Sequence, residues 1–508
     1  VESGKYGFLA IRNSEVEEVS LRIAPDRLRD LALHADRARE GWGVPGCAVG
    51  IVHDDKVLFS AGFGHRRLGE NAGMTPRTLF PIASATKSFT AMSLALLVEE
   101  GRLDWDIPLQ QYWPAFRLFD PIATERITVR DILCHRSGLP RHDLVWYNTI
   151  LTREQLLERV SYLEPTIDFR HSYQYQNLLY TAAGHLVERL SGMTWENFVK
   201  ERILTKLGMN HSYFRVEDAR HAGPIALPYM WKAGRVTEVP LLNNEAIGPA
   251  GSMISCVEDM IKWLTFQHRG VLPDGQPLVG QQLLSEMHQP QLVSSPQTPY
   301  PEIPFVCSAL GWFVQSYRGH NMIFHPGNLQ GFTSFVSFLP EQKLGIVVLS
   351  QVDQSRLPVA LTYEIYDRLL DLAPLDWHGR LKQEVQAEAK KMEEQLQNFK
   401  KSINSMDDHD HPLSSRQYGR YEGTYHHPGY GIVSIAHTEN SLQMKMRNNR
   451  LTFRLTQTAR HTFFARYDDT YSLHIPLSFQ TDQEGGIVGF AAKLEPAEKA
   501  KEIRFTRM

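Results

Sequence analysis

Ser84-Ala85-Thr86-Lys87 sets a hydroxyl and an amine three residues apart at the start of a strongly apolar helical segment. Residues i and i+3 lie on one helix face, so the two side chains can meet. A serine hydroxyl is a weak nucleophile until a base takes its proton. A neutral lysine can be that base if burial or nearby positive charge disfavours its ammonium form. The helix N-terminus adds a backbone N–H and a positive dipole end for an oxyanion developing on a substrate carbonyl. Taken alone, the same four residues also describe an ordinary helix start with a surface lysine.

Two further stretches carry chemistry. Tyr175-Gln176-Asn177 stands just ahead of the best-patterned helix in the chain. The tyrosine can relay or accept a proton if a neighbouring ammonium lowers its pKa. The asparagine can accept from the lysine and donate to a substrate carbonyl. A packed tyrosine and an asparagine helix cap would read the same way. His325-Pro326-Gly327 closes the strand-like run Met322–Phe324 and precedes another, Phe332–Phe338. Gly327 would let a substrate backbone approach, Asn328 N–H would serve as an oxyanion donor, and His325 would orient or donate near a leaving group. The same tripeptide recurs at His427-Pro428-Gly429, so only strand context and chain order favour the first copy.

The elements that must position these groups can be read from periodicity. Residues 26–40 have the pattern of an amphipathic helix. Cys47–Val52 and Lys56–Ala61 form a hairpin around Asp54-Asp55. A helix runs from about Ser84 to Glu100 and stops at Gly101. Leu178, Ala182, Leu186 and Leu190 give a helix over 177–190 one broad buried face, and another helix follows Ser255. Strand signals return at 309–316, 322–324, 333–338 and 344–350, followed by a helix over 358–372. One antiparallel sheet built from both ends of the segment, flanked by helices and joined to a helical lobe, accounts for this order. From Trp377 to Asn404 the composition turns to Lys, Glu and Gln, as in a polar helix or linker. It closes on Asp407-Asp408-His409-Asp410-His411, a solvated stretch rather than a preorganised metal site. Short alternating runs from about Tyr418 onward predict a small β-barrel or sandwich. Expected domains are 1–375, a charged helical linker over 376–415, and an all-β unit over 416–508.

In this order the three motifs resemble the serine β-lactamase and penicillin-binding protein superfamily, in its class C, esterase and D-aminopeptidase-like branch. Phe80–Lys87, Gly101–Asp106, Leu133–Pro140 and Gly248–Asp259 add to the likeness, which covers roughly residues 26–373. The resemblance implies an α+β fold: an antiparallel sheet flanked by helices, with a helical lobe. It implies that Ser84 is acylated and that Lys87 accepts its proton. Tyr175 would be a general base working with Lys87. Asn177 would contact the substrate amide, and the Ser84 and Asn328 N–H groups would form the oxyanion hole. His325 stands where many relatives have lysine, which weakens attraction for an anionic drug. Pro326 removes a strand donor, so that edge should face solvent or ligand. His135, in Leu133–Pro140, is expected to be structural. Gly423-Thr424-Tyr425 and Gly429-Tyr430-Gly431 are similar to the small lipocalin-like barrel carried by some relatives.

The expected reaction is hydrolysis of a small peptide or amide. A carboxylesterase, a β-lactamase and a non-catalytic binding or assembly scaffold are the alternatives. No metal or organic cofactor is implied. The net charge is −3 over 508 residues, so no nucleic-acid partner is expected. No apolar run reaches the length of a membrane span. Homo-oligomerisation stays open. The chain opens at Val1, as a processed or trimmed product would, and a periplasmic or secreted location is expected. Cys47, Cys134, Cys256 and Cys307 follow no metal spacing and read as buried free thiols.

Overall fold

The computed structural model describes residues 28, 30–232, 234–406, 418–438, 441–467, 473–496 and 500–508. Its centre is an eight-stranded antiparallel sheet. The strands are β1 (Gly46–His53), β2 (Lys56–Gly64), β3 (Leu292–Ser295), β4 (Val306–Ser308), β5 (Phe313–Tyr317), β6 (His320–Leu329), β7 (Phe332–Leu339) and β8 (Leu344–Gln351). They lie in the order β2-β1-β8-β7-β6-β5-β4-β3, so both ends of the segment meet where β1 pairs with β8. Asp54 and Asp55 have φ values of 45° and 67°, the left-handed pair that a tight hairpin turn requires.

Strand period sorts the apolar residues into two cores. Ala48, Val52, Val347 and Leu349 face one; Cys47, Val49, Ile51, Leu344, Ile346 and Val348 face the other. A sheet buried on both sides needs a cover on each face. Helix α1 (Leu31–Gly41) and the helix Leu357–Leu369 cover one face, and Val257–Arg269 lies on the other. Gly50 makes that last approach close, since a Cβ there would stand 2.5 Å from Val257.

Several boundaries differ from those read in the sequence. The run 309–316 does not form one strand. Gly311 (φ 81°) turns the chain, and a Cβ there would meet Ala91 at 2.6 Å, so the turn makes room for the helix behind Ser84. β3 and β4 were not foreseen; they are too short for alternation to stand out. The described helix Leu31–Gly41 is preceded by Leu28, also helical, and residues 26, 27 and 29 lie outside the described set. β6 runs on through His325-Pro326-Gly327 instead of ending there.

A 30-residue helix, Trp377–Met406, follows, its first residue buried. The acidic and histidine stretch 407–411 lies outside the described residues. Eight strands between Gly423 and Arg507 then close a barrel, with Tyr425 paired to Arg507. Leu451, Phe453 and Leu455 point inward while Thr452, Arg454 and Thr456 are exposed. Tyr421, Phe463, Phe479 and Phe490 pack ring to ring inside, so side chains fill the barrel.

The barrel is tied to the helical lobe. Ile150 N–H donates to Asn448 O (2.8 Å), Asn449 Nδ2 to Leu144 O, and Lys501 reaches Glu164 (2.7 Å). All four cysteines are free and buried. Among the described residues no helix is long and apolar enough to cross a membrane.

Candidate active site

Phe80-Pro81 pairs with Ile254-Ser255, and Ile82 N–H donates to Met253 O (2.9 Å). Ala83 then takes a left-handed φ of 49°. That conformation costs a non-glycine residue about 1–2 kcal/mol, so the surrounding bonds must hold it. It turns the chain sharply into a 3₁₀ turn (Ala83–Thr86) that continues as helix α2 (Lys87–Glu99). Ser84 is half-buried at this corner, while Lys87, one turn on, is fully buried.

The segment 248–253 is stitched against α2. Thr90 Oγ1 donates to Pro249 O (2.7 Å), and Met253 N–H donates to Thr86 Oγ1 (3.2 Å). Helix α3 (Asn177–Ser191) packs against both, with Gln176 as its cap: its side chain accepts from Leu178 N. Capping by Gln176 leaves the Asn177 amide free to face Lys87.

These elements bring four predicted residues together. Lys87 Nζ lies 2.8 Å from Asn177 Oδ1, 2.6 Å from Ala250 O and 3.1 Å from Ser84 Oγ. Tyr175 Oη lies 2.7 Å from Ser84 Oγ. Burial, reinforced by the Arg141 guanidinium, pushes the Lys87 pKa well below its ordinary value. A neutral amine has two N–H groups and one lone pair. Asn177 Oδ1 and the Ala250 carbonyl can only accept, so they take the two hydrogens. The lone pair is left for the third neighbour, the Ser84 hydroxyl.

Tyr175 departs from expectation. Accepting a proton would require a lowered pKa, yet burial raises its phenol to about 12, against smaller opposing effects from Ser84 and Arg141. Its resting form is the protonated phenol, which donates to Ser84 Oγ. The Lys87 Nζ lies 4.8 Å from the ring centroid, and the Arg141 guanidinium lies 5.0 Å away. His135 packs its ring 4.4 Å from that of Tyr175 and accepts from Gln176 N–H at Nδ1 (3.0 Å). It therefore positions Tyr175.

β6 forms the other wall. β5 pairs with it only as far as Phe324, whereas β7 pairs with it through Leu329. Residues 325–329 therefore present one open edge, consistent with a proline at 326. Pro326 and Asn328 are exposed there, and alternate residues turn the same way. The Asn328 side chain is held by Asp353 (2.9 Å) and by the N–H of Gln354 (2.9 Å).

His325 and Gly327 both face inward here. His325 is buried, and its Nδ1 lies 2.7 Å from Pro326 O. A carbonyl only accepts, so Nδ1 carries the hydrogen and Nε2 keeps a lone pair. Burial lowers the pKa to about 3. The neutral ring can accept at Nε2 but cannot donate there. At Gly327 the close approach is internal: a Cβ would stand 2.2 Å from both Ile82 O and Ser334 Oγ. The glycine seats the Ser84 corner against the sheet.

Sequence reasoning missed Arg141 and the Ala250 carbonyl. A backbone acceptor has no residue signature, and Arg141 comes close only through a loop between helices. Among the described residues, Glu154, His185 and Glu188 bring three candidate metal-ligand atoms within 4.8 Å of one another. Arg153 already pairs with Glu188 there and also with Glu196 (2.5 Å), so the cluster holds its own countercharge.

Comparison with known proteins supports the same framework. The family model described as Beta-lactamase matches residues 34–369, and a domain of unknown function (DUF3471) matches 407–507. An unguisins hydrolase of Aspergillus campestris is 29% identical over 426 residues, covering 80% of this chain and 77% of its own length. The octameric penicillin-binding protein homologue from Pyrococcus abyssi superposes with a TM-score of 0.59 at 21% identity, over 94% of this chain and 99% of that one. A D-amino acid amidase from Ochrobactrum anthropi gives 0.55 at 23%, over 67% and 98%. With the matched segment spanning the sheet, the helical lobe and every residue around Ser84, the chain belongs to the beta-lactamase family.

Proposed function

We propose that the protein is a serine hydrolase that cleaves a peptide or amide bond through an acyl-enzyme on Ser84. The observation that carries this reading is the Lys87 amine, buried with two acceptors for its two hydrogens and its third neighbour the Ser84 hydroxyl. Ser84 Oγ attacks the substrate carbonyl carbon as its proton passes to Lys87 Nζ. The oxyanion is held by the N–H groups of Ser84 and Asn328. The C–N bond then breaks, and the leaving amine takes the proton from Lys87, with Tyr175 Oη as relay beside Ser84. Water attacks the ester, Lys87 again takes a proton, and the acid leaves as Ser84 Oγ regains its hydrogen.

Amide cleavage fits the relatives in hand: one is named for hydrolysing unguisins, and a structural neighbour is a D-amino acid amidase. The neutral His325 argues against a site built to attract an anionic β-lactam carboxylate. In this reading residues 1–375 are the hydrolase domain, 376–415 a linker and 416–508 the barrel domain.

Ser84→Ala should abolish turnover of nitroanilide amides and nitrophenyl esters while the fold is retained. A fluorophosphonate should modify the peptide containing Ser84. Turnover persisting in Ser84→Ala, or a label mapping elsewhere, rejects the assignment. Comparable amide and ester rates favour the peptidase or amidase; ester turnover alone favours a carboxylesterase on the same site.

A further inference from the structure

Where the barrel meets the helical lobe lies a cavity of about 410 Å³. Two residues join it to the reacting groups. Asn328 lies on the open edge of β6, and Arg141 lies over the Tyr175 ring that reaches Ser84. Leu144 and Trp146 of the lobe form one wall, Leu329 lies at the β6 side, and Ile475 and Leu494 of the barrel form the facing wall.

The polar groups of the cavity are largely engaged within the protein. Arg141 Nε bonds Asp143 (2.6 Å), Trp146 Nε1 donates to the same carboxylate (3.0 Å), and Tyr147 Oη donates to Gln330. The buried Glu495 receives the Tyr430 hydroxyl at 3.4 Å. An occupant would therefore meet mainly hydrocarbon. The walls are also fixed relative to each other, because Asn449 of the barrel bonds the Leu144 carbonyl. Preformed cavities of this size and lining take apolar groups.

We propose that this cavity is the specificity pocket, in which the barrel residues Ile475 and Leu494 complete a subsite for a bulky apolar group next to the scissile carbonyl. The proposal rests on acyl transfer at Ser84. It makes the barrel part of substrate selection, which the fold of the hydrolase segment alone would not supply.

The test compares kcat/KM for nitrophenyl acetate and nitrophenyl octanoate in the wild type, Leu494→Ala, Leu494→Trp and Leu144→Ala. The wild type should prefer octanoate by more than tenfold. Leu494→Ala should lower that ratio by about tenfold, the scale of lost methylene contacts in a pocket. Leu494→Trp should lower it further by filling the space. Leu144→Ala removes the opposite wall without touching the barrel, so a parallel loss there sustains the proposal even if a Leu494 variant unfolds. Ser84-dependent turnover of both esters with an unchanged ratio in the folded variants overturns the pocket alone. Turnover that survives Ser84→Ala removes the underlying reading, and the pocket with it.

Discussion

The floor of the cleft and its mouth are built on opposite principles. At the floor, Ser84, Lys87, Tyr175 and Asn177 converge within single hydrogen-bond distances, and all belong to the hydrolase segment. Burial there pushes an amine down and a phenol up, leaving neutral groups that can pass a proton. At the mouth, His142, Tyr430 and Glu495 come from the lobe and the barrel and meet only because the two are docked. Burial again acts on charge, lowering His142 to about 4 and raising Glu495 to about 7. Although these two lie 3.7 Å apart, the shifts favour the neutral forms over an ion pair. Desolvation thus favours a neutral amine at the floor, while at the mouth it places a cost on one carboxylate.

Lys87→Arg should break the floor most severely. A guanidinium stays protonated, so it cannot take the Ser84 proton, and turnover should fall by about 10³–10⁴, the upper part of the range for a lost general base. Steady-state kcat/KM on a nitrophenyl ester reads this directly. The wild-type rate should also climb with pH as the amine deprotonates, and the variant should lose that rise. Tyr175→Phe keeps the ring but removes the relay, and a fall of about 10²–10³ is expected, with labelling of Ser84 slowed in parallel.

At the mouth, the Glu495 pKa is raised in the folded chain from 4.5 to about 7. Its contribution is fully present below the unfolded pKa and is lost as pH rises through the folded one. Stability should therefore decline between pH 4.5 and 7, by about 3 kcal/mol for a shift of this size. Glu495→Gln should flatten thermal melting over that window; an unchanged slope would deny the carboxyl this part. The smallest effect is expected at the seam between sheet and nucleophile. Gly327→Ala drives a methyl against Ile82 O and Ser334 Oγ. A stability loss of about 1–3 kcal/mol is expected, together with a reduced labelling rate as Ser84 shifts.

Legibility in the sequence followed the range of the interaction. The hairpin at Asp54-Asp55, helix α3 and the pairing of Ser84 with Lys87 depend on residues a few positions apart, and periodicity exposed them. The two His-Pro-Gly copies show what local reading lacks. His325 sits inside a strand, and its glycine meets the Ile82 carbonyl. His427 lies where a turn begins: its Nδ1 accepts from the Gly429 and Tyr430 N–H groups, and a Cβ on Gly429 would meet Leu163 of the lobe at 2.6 Å. Identical tripeptides thus seat the Ser84 corner and dock a barrel. Neither the burial that neutralises His325 nor the barrel wall beside Asn328 has a local signature, since both depend on partners far away in the chain.

The proposed chemistry requires Lys87 to be an uncharged amine in the resting enzyme. It is tested by ¹⁵N NMR of protein labelled at lysine Nζ, with the Lys87 resonance assigned by its absence in Lys87→Arg. A neutral NH₂ signal at pH 7.5, turning to ammonium only under acidic conditions, is the result expected. An ammonium signal persisting through pH 9 would contradict the account, because no lone pair would then face Ser84.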